Sequence, residues 1–226
     1  MPFGKGLPSI VPSLTYQPVP VAEKVVSGSN GKLVVDLGAG GRKIAPWVKT
    51  VDFIQLPGTD YVCDFVNDRT PFEDGSVDMV ISTGVLEHVE SDQGFMLEIR
   101  RILKMDGVLH IEIPFLQQYH EDPIDCRRLT KPGLELFLRQ HGFDVVDSGV
   151  HIGPTVTVLT LMSHYVDLLF AGANPVCKAL SFGAFAVFSV LSWPLRYLDM
   201  WLVRKPGAHK LAFGVYATAR KVADSL

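Results

Sequence analysis

The run Val34-Val35-Asp36-Leu37-Gly38-Ala39-Gly40-Gly41-Arg42 constrains this chain most. An apolar strand closes on a carboxylate and passes at once into a glycine turn. Gly38 and Gly40 carry no Cβ, so the backbone can turn sharply and lie directly against a ligand. The next segment, Lys43 to Val48, is expected to begin a short helix that Pro46 limits. Strand, glycine turn and helix together form the geometry of a nucleotide-like site at the carboxyl end of a parallel sheet. Glycines also serve tight αβ connections for structural reasons alone, so the turn needs further support.

That support comes from the next strands. Thr50-Val51-Asp52-Phe53 reads as a second strand closing on an acid, 16 positions after Asp36. This is about the one-crossover interval at which an acid meets ribose hydroxyls in doubly wound folds. Tyr61-Val62-Cys63-Asp64-Phe65 is a third apolar run with an acid at its end. Val77 to Ser82 reads as a fourth strand, followed by Thr83-Gly84 and Val85-Leu86-Glu87-His88-Val89. A helix end, a turn and a fifth strand fill Arg101 to Pro114. Each acid alone reads as a solvated strand end, but three at consecutive strand ends mark one rim.

In this order the motifs resemble the class I S-adenosylmethionine-dependent methyltransferases of the type-11 group. The resemblance rests on Asp36 to Gly40, Asp52, Asp64, Pro71 to Asp78, Val85 to Val89 and Leu103 to Gly107, and it covers about residues 30–150. It implies an α/β, Rossmann-like, seven-stranded sheet with an antiparallel last strand, and S-adenosyl-L-methionine as cofactor. It implies that Asp36, Gly38, Ala39 and Gly40 meet the methionine part. Asp52, with Phe53 beside it, would serve the ribose, and Asp64 and Phe65 the adenine. Thr83 and Gly84 would border the sulfonium, with His88 close by; His88 equally reads as a residue that only hydrogen-bonds neighbouring backbone. Arg42 stands where the family often has a third glycine, which makes the turn less open.

A sulfonium is already an activated methyl donor, so the protein has mainly to align an acceptor behind the methyl group. A neutral hydroxyl acceptor also needs a proton acceptor, and histidine or a carboxylate serves near neutral pH. The segment Pro114 to Thr130 packs such groups into a loop before a helix, with Thr130 as N-cap and Pro132 in the first turn. Its His-x-x-Pro-x-Asp-x-x-Arg-x-Thr arrangement resembles a type-11 subgroup associated with cell-surface glycan pathways. His120 reads as a base that Asp125 orients; Asp125 and Arg128 read equally as a structural pair stiffening the loop.

Gly142 to Val150 and Phe213 to Lys221 read as strands six and seven, so 154–210 forms a helical, apolar insertion between them. Ala179 to Leu195 holds no charged residue, and about 17 residues is the lower limit for a bilayer span. Ser189, Ser192, Arg196 and Asp199 recur at helical spacing as one narrow polar stripe, with Lys178, Arg204, Lys205 and Lys210 around the run. The region 178–205 therefore reads three ways: as a hairpin packed on the core or in a homodimer interface, as an interfacial membrane segment, or as a span.

Composition bounds the rest. The 226 residues suffice for one α/β domain over 23–226, preceded by a proline-rich extended arm over 1–22. A net charge of −3 advertises no nucleic-acid surface. Three scattered cysteines without a CxxC pair give no zinc or redox motif, and no metal site is read. The chain is expected in the cytoplasm, with a peripheral position at the inner face of the membrane under the interfacial reading. The expected acceptor is a small molecule, a glycan or a lipid-linked compound. A catalytically silent, membrane-docked binding module and a nicotinamide-dependent oxidoreductase are the competing functions, the latter lacking its full GxGxxG fingerprint.

Overall fold

A computed structural model describes residues 20–120, 124–170, 172 and 174–222. The predicted arm lies outside these residues except for Pro20, Val21 and Ala22, and the last two open helix α1 (Val21–Ser27). The centre of the molecule is one seven-stranded sheet in the order β3-β2-β1-β4-β5-β7-β6. Strands β1 (Val34–Leu37), β2 (Lys49–Asp52), β3 (Tyr61–Val62), β4 (Val77–Thr83) and β5 (Leu103–Pro114) run parallel. Strand β7 (Gly214–Lys221) inserts between β5 and β6 (Phe143–Ile152), antiparallel to both.

The central strands are covered on both faces, so they read as nearly continuous apolar runs rather than alternating ones. All four residues of β1 are buried. Val35, Leu37, Val80, Leu109 and Ile111 meet Phe95 and Ile99 of helix α2 (Asp92–Ile102) in the main core. Ser91 caps α2 by accepting from the Gly94 amide. Helix α3 (Lys131–Gln140) begins as the sequence predicts, with the Thr130 hydroxyl accepting from Gly133 at 3.1 Å and Pro132 in the first turn.

Two local expectations fail. Residues 38–48 form no helix: Gly38, Gly40 and Gly41 take positive φ in the glycine turn, and Ile44 to Trp47 close a turn in which the Val48 amide donates to the Ala45 carbonyl at 3.1 Å. The segment instead turns twice and enters β2 directly. The third strand ends at Val62 rather than reaching Phe65, because Asp64 folds back to accept from the Val66 and Asn67 amides in a local turn.

The insertion between β6 and β7 is helical, as expected. It contains α4 (Pro154–Leu169), α5 (Pro175–Ser192), a 3₁₀ turn over Trp193–Leu198 and the short α6 (Asp199–Leu202). Because β6 ends and β7 begins level with Pro114, at the carboxyl end of β5, the insertion springs from the rim that carries the ends of β1 to β5. The Phe115 amide donates to the Phe213 carbonyl at 2.8 Å, which ties the loop after β5 to the insertion's exit.

The stripe predicted on this insertion faces inward. Ser189, Ser192, Arg196 and Asp199 are all buried, and Asp199 caps α4 by accepting from the Thr155 and Val156 amides at 2.8 and 3.0 Å. The outward face is apolar instead: Leu191 is 74% exposed, Leu168 72% and Trp201 60%, with Val187, Val190 and Leu198 beside them. The continuous helical stretch Pro175–Leu202 is long and apolar enough to cross a membrane by length and composition.

Candidate active site

The carboxyl rim gathers the acids that the sequence singled out. Asp36 is fully buried in β1, and neither carboxylate oxygen has a hydrogen-bond partner. Burial pushes its pKa up to about 7 against the opposing pull of Arg42. A buried carboxylate without a donor is costly in its charged form, which is why the group holds its proton so high.

Asp52 is buried at the end of β2, where it accepts from the Gly40 amide at 2.8 Å and the Ile54 amide at 3.3 Å. One carboxylate thus pins the glycine turn. A Cβ on Gly40 would meet nothing within 4 Å, so the turn borders open space there. Gly38 is closed on its other side: its Cβ would fall 2.3 Å from a Val85 methyl carbon. Beyond Asp52, Phe53 and Ile54 are 57% and 44% exposed, an apolar shelf beside that acid.

The adenine-side residues are arranged less as expected. Asp64 is exposed, and its hydrogen bond from the Asn67 side chain leads the contacts that hold its pKa below the usual range. Phe65 is buried with its ring 5.9 Å from that of Phe95, so its ring belongs to the core and its backbone is what remains for a ligand. Thr83 accepts from Arg42 at 2.9 Å, so the arginine spans from the glycine turn to the end of β4. Gly84 follows with φ 67°, its amide donating to the Glu112 carbonyl.

The loop after β5 brings His120, Asp125 and Arg128 together, as predicted. Asp125 is almost wholly buried; it accepts from the His120 amide at 2.8 Å, lies 3.3 Å from His120 Nδ1 and takes both guanidinium nitrogens of Arg128. Burial raises the Asp125 pKa, but Arg128 outweighs it and the carboxylate stays charged. Arg128 also donates to the carbonyls of Gln117 and Gln118. Asp125 therefore orients His120 and anchors Arg128 at once. Burial lowers the His120 pKa, which keeps the imidazole neutral. Pro123 of the same motif lies outside the described residues.

Two further residues join this group. His88 sits in the 3₁₀ turn Leu86–His88 after β4, its ring edge-on to His120 with centroids 5.0 Å apart. Its Nδ1 donates to the Ile124 carbonyl, so it does bond backbone, but across to the acceptor loop. Glu87, given no role from sequence, is buried with one carboxylate oxygen unpartnered and the other 3.8 Å from His88 Nε2. Burial raises its pKa to about 7. Its position directly before His88 at the end of a rim strand was the available signal. Sequence reasoning also missed Glu112, which burial would raise but His151 and His110 hold low.

Residues 35–111, from β1 into β5, match the family described as a methyltransferase domain. The match spans about a third of the chain. That match supports S-adenosylmethionine as cofactor and S-adenosylmethionine-dependent methyl transfer as the activity. The crystal structure of a Burkholderia thailandensis 1,6-didemethyltoxoflavin N1-methyltransferase with bound 1,6-didemethyltoxoflavin and S-adenosylhomocysteine superposes with a TM-score of 0.53, at 17% identity over 89% of this chain and 77% of that one. The [4+2]-cyclase SpnF gives 0.53, at 16% identity over 89% and 80%. A Haemonchus contortus phosphoethanolamine N-methyltransferase with bound S-adenosylmethionine gives 0.52, at 15% identity over 89% and 52%. No curated protein sequence matches the chain. A cyclase on the same fold shows that the acceptor chemistry must be argued from the site itself. The nicotinamide alternative falls: the antiparallel β7 between β5 and β6 breaks the parallel order of dinucleotide folds.

The rim suits this cofactor. The Asp36 carboxylate lacks a hydrogen-bond partner, the open side of Gly40 leaves room for close backbone approach, and the Asp52 carboxylate retains acceptor capacity beyond its bond from Gly40.

Proposed function

We propose that this methyltransferase moves a methyl group from S-adenosylmethionine to an oxygen of an amphiphilic acceptor, a glycan or lipid-linked compound met at a membrane surface. The observation that carries this reading is topological. The apolar-faced insertion and the His120 loop rise from the same rim of the sheet and are joined through Phe115 and Phe213. An acceptor held by its apolar part on the insertion would present a polar end to the loop.

In this reading Asp36 and Asp52 hold the methionine ammonium and the ribose, and Arg42 takes the methionine carboxylate. Gly84 lines the path of the methyl group, and His120 serves removal of the acceptor's proton while Asp125 fixes the imidazole. The cofactor supplies the electrophilic methyl group. The protein's share is alignment and the exclusion of competing water. A cytoplasmic protein resting on the inner leaflet fits the basic residues Lys178, Arg204 and Lys205 at the ends of the apolar stretch.

The test is methyl transfer from radiolabelled S-adenosylmethionine to membrane lipid and glycan extracts. Label in a base-stable, organic-extractable product supports the reading. Label only in water-soluble small molecules removes the membrane acceptor. Tight S-adenosylhomocysteine binding without any transfer would leave the silent binding module.

A further inference from the structure

We propose that Glu87, His88 and His120 bind a divalent transition-metal ion beside the methyl-transfer path, and that the ion receives the acceptor's oxygen. This inference rests on the methyltransferase reading and states how His120 serves proton removal. It replaces the absence of a metal site expected from sequence.

Ligand atoms of the three side chains all lie within 4.8 Å of one another, and Glu87 Oε1 and His88 Nε2 are 3.8 Å apart. Ligands about 2.1 Å from a metal in tetrahedral geometry stand roughly 3.4 Å apart, so small side-chain rotations close the site. Two histidines and one carboxylate form a three-ligand set that leaves further positions open for exogenous oxygen.

The outer contacts are those of ligating imidazoles. The Ile124 carbonyl can only accept, so His88 carries its proton on Nδ1 and turns an Nε2 lone pair to the cluster. The Asp125 carboxylate stands 3.3 Å from His120 Nδ1, where Arg128 Nη2 also approaches at 3.3 Å; a proton on Nδ1 shared with Asp125 leaves the Nε2 lone pair for the ion. A carbonyl on one imidazole and a carboxylate on the other is the arrangement that orients metal-bound histidines and raises their basicity.

Glu87 is the independent observation. It is 3% exposed, and its Oε2 has no hydrogen-bond partner. Among the described residues nearby, the carboxylates Glu87 and Asp125 stand against the guanidinium of Arg128, which pairs directly with Asp125 and reaches Glu87 only at longer range. A cation supplies what this cluster lacks.

The location gives the function. A Cβ on Gly84 would come within 3.5 Å of Glu87 Oε1, so the cluster borders the residue that lines the methyl path. A hydroxyl bound to the ion loses its proton to bulk water more readily, because the ion stabilises the oxyanion. That oxygen then forms the new C–O bond while the S–CH₃ bond breaks. The bonding pair stays on sulfur, which gives neutral S-adenosylhomocysteine.

The test uses the full chain, stripped with a chelator and titrated with Co²⁺. One equivalent should bind with visible absorption bands of nitrogen and oxygen coordination. His120→Ala and Glu87→Gln should each weaken Co²⁺ binding by at least tenfold, and Asp125→Asn by about tenfold through the lost orientation of His120. Calorimetry with S-adenosylhomocysteine on the same samples keeps two questions apart and reports folding of each variant. Normal S-adenosylhomocysteine binding with no Co²⁺ bands in the wild type overturns the metal site and leaves the methyltransferase reading intact. Co²⁺ binding that the variants abolish, with no S-adenosylhomocysteine affinity, keeps the site and removes that reading. Bands unchanged in both His120→Ala and Glu87→Gln place the ion elsewhere and overturn the proposal.

Discussion

The Gly40 amide donates to the Asp52 carboxylate over 2.8 Å, so the glycine turn after β1 and the end of β2 form one fixed edge. Asp52 therefore holds the turn, and in the proposed reading it also meets the ribose. Asp52→Ala removes both and should weaken S-adenosylhomocysteine binding by about 1–3 kcal/mol, the cost of leaving polar ligand groups unpaired. Asp52→Asn retains an oxygen for Gly40 and should lose less. Calorimetric affinities of the two variants check this; equal affinity for wild type and Asp52→Ala would remove the ribose assignment.

Asp36 makes cofactor affinity depend on pH. Its pKa is raised from the ordinary carboxylate value to about 7, so the ligand-free protein holds a proton there that the unfolded chain releases. The folded state binds more protons than the unfolded state between about pH 4 and 7, so this group lowers stability as pH rises through that window. Binding an ammonium favours the charged carboxylate. S-adenosylhomocysteine affinity should therefore rise by roughly tenfold per unit as pH approaches 7 and level off above it. Asp36→Asn should flatten that profile, weaken binding at pH 8 and stabilise the ligand-free protein near neutral pH. Affinity and thermal melting across pH measure both parts.

Gly38 has φ 77°, and a Cβ there would strike Val85 at 2.3 Å. Gly38→Ala combines left-handed strain with a clash in the packed core and should cost about 1–3 kcal/mol or more. Gly40→Ala has the strain without the clash and should be milder in denaturant unfolding, while still obstructing the ligand.

The rim was legible because parallel strands buried on both faces print as apolar runs, and each closing acid stands out against them. Asp36, Asp52 and the Thr130 cap follow from such local signals, and β6 and β7 from apolar runs bounded by glycine. What escaped depends on contacts between distant segments. Nothing near Lys43 announces that the segment turns and runs into β2 at Lys49 without a helix. Glu87 and His88 follow β4 and His120 follows β5, and the β4–β5 pairing is what brings His120 within reach of the other two. The stripe of Ser189, Ser192, Arg196 and Asp199 was visible as a periodicity, but its direction was not. Capping of α4 by Asp199 turns it inward and leaves the apolar face outside.

That outward face carries the last prediction. A helix whose polar stripe faces the protein and whose apolar residues face out is reversed relative to a surface helix in water. Leu168, Leu191 and Trp201 should enter the interface of a bilayer, with nearby Lys178, Arg204 and Lys205 each adding about 1 kcal/mol on an anionic surface. Binding to vesicles should rise with anionic lipid and fall with salt. Leu191→Ser with Trp201→Ser should release the protein from vesicles while leaving S-adenosylhomocysteine affinity unchanged, since neither residue lies at the glycine rim. A homodimer through the same face would instead give a doubled mass in light scattering at low salt and no vesicle binding, and the same two substitutions would then return the monomer. Resistance of the wild type to both salt and carbonate extraction would point to a span. Sedimentation with vesicles, read beside light scattering, decides among the three.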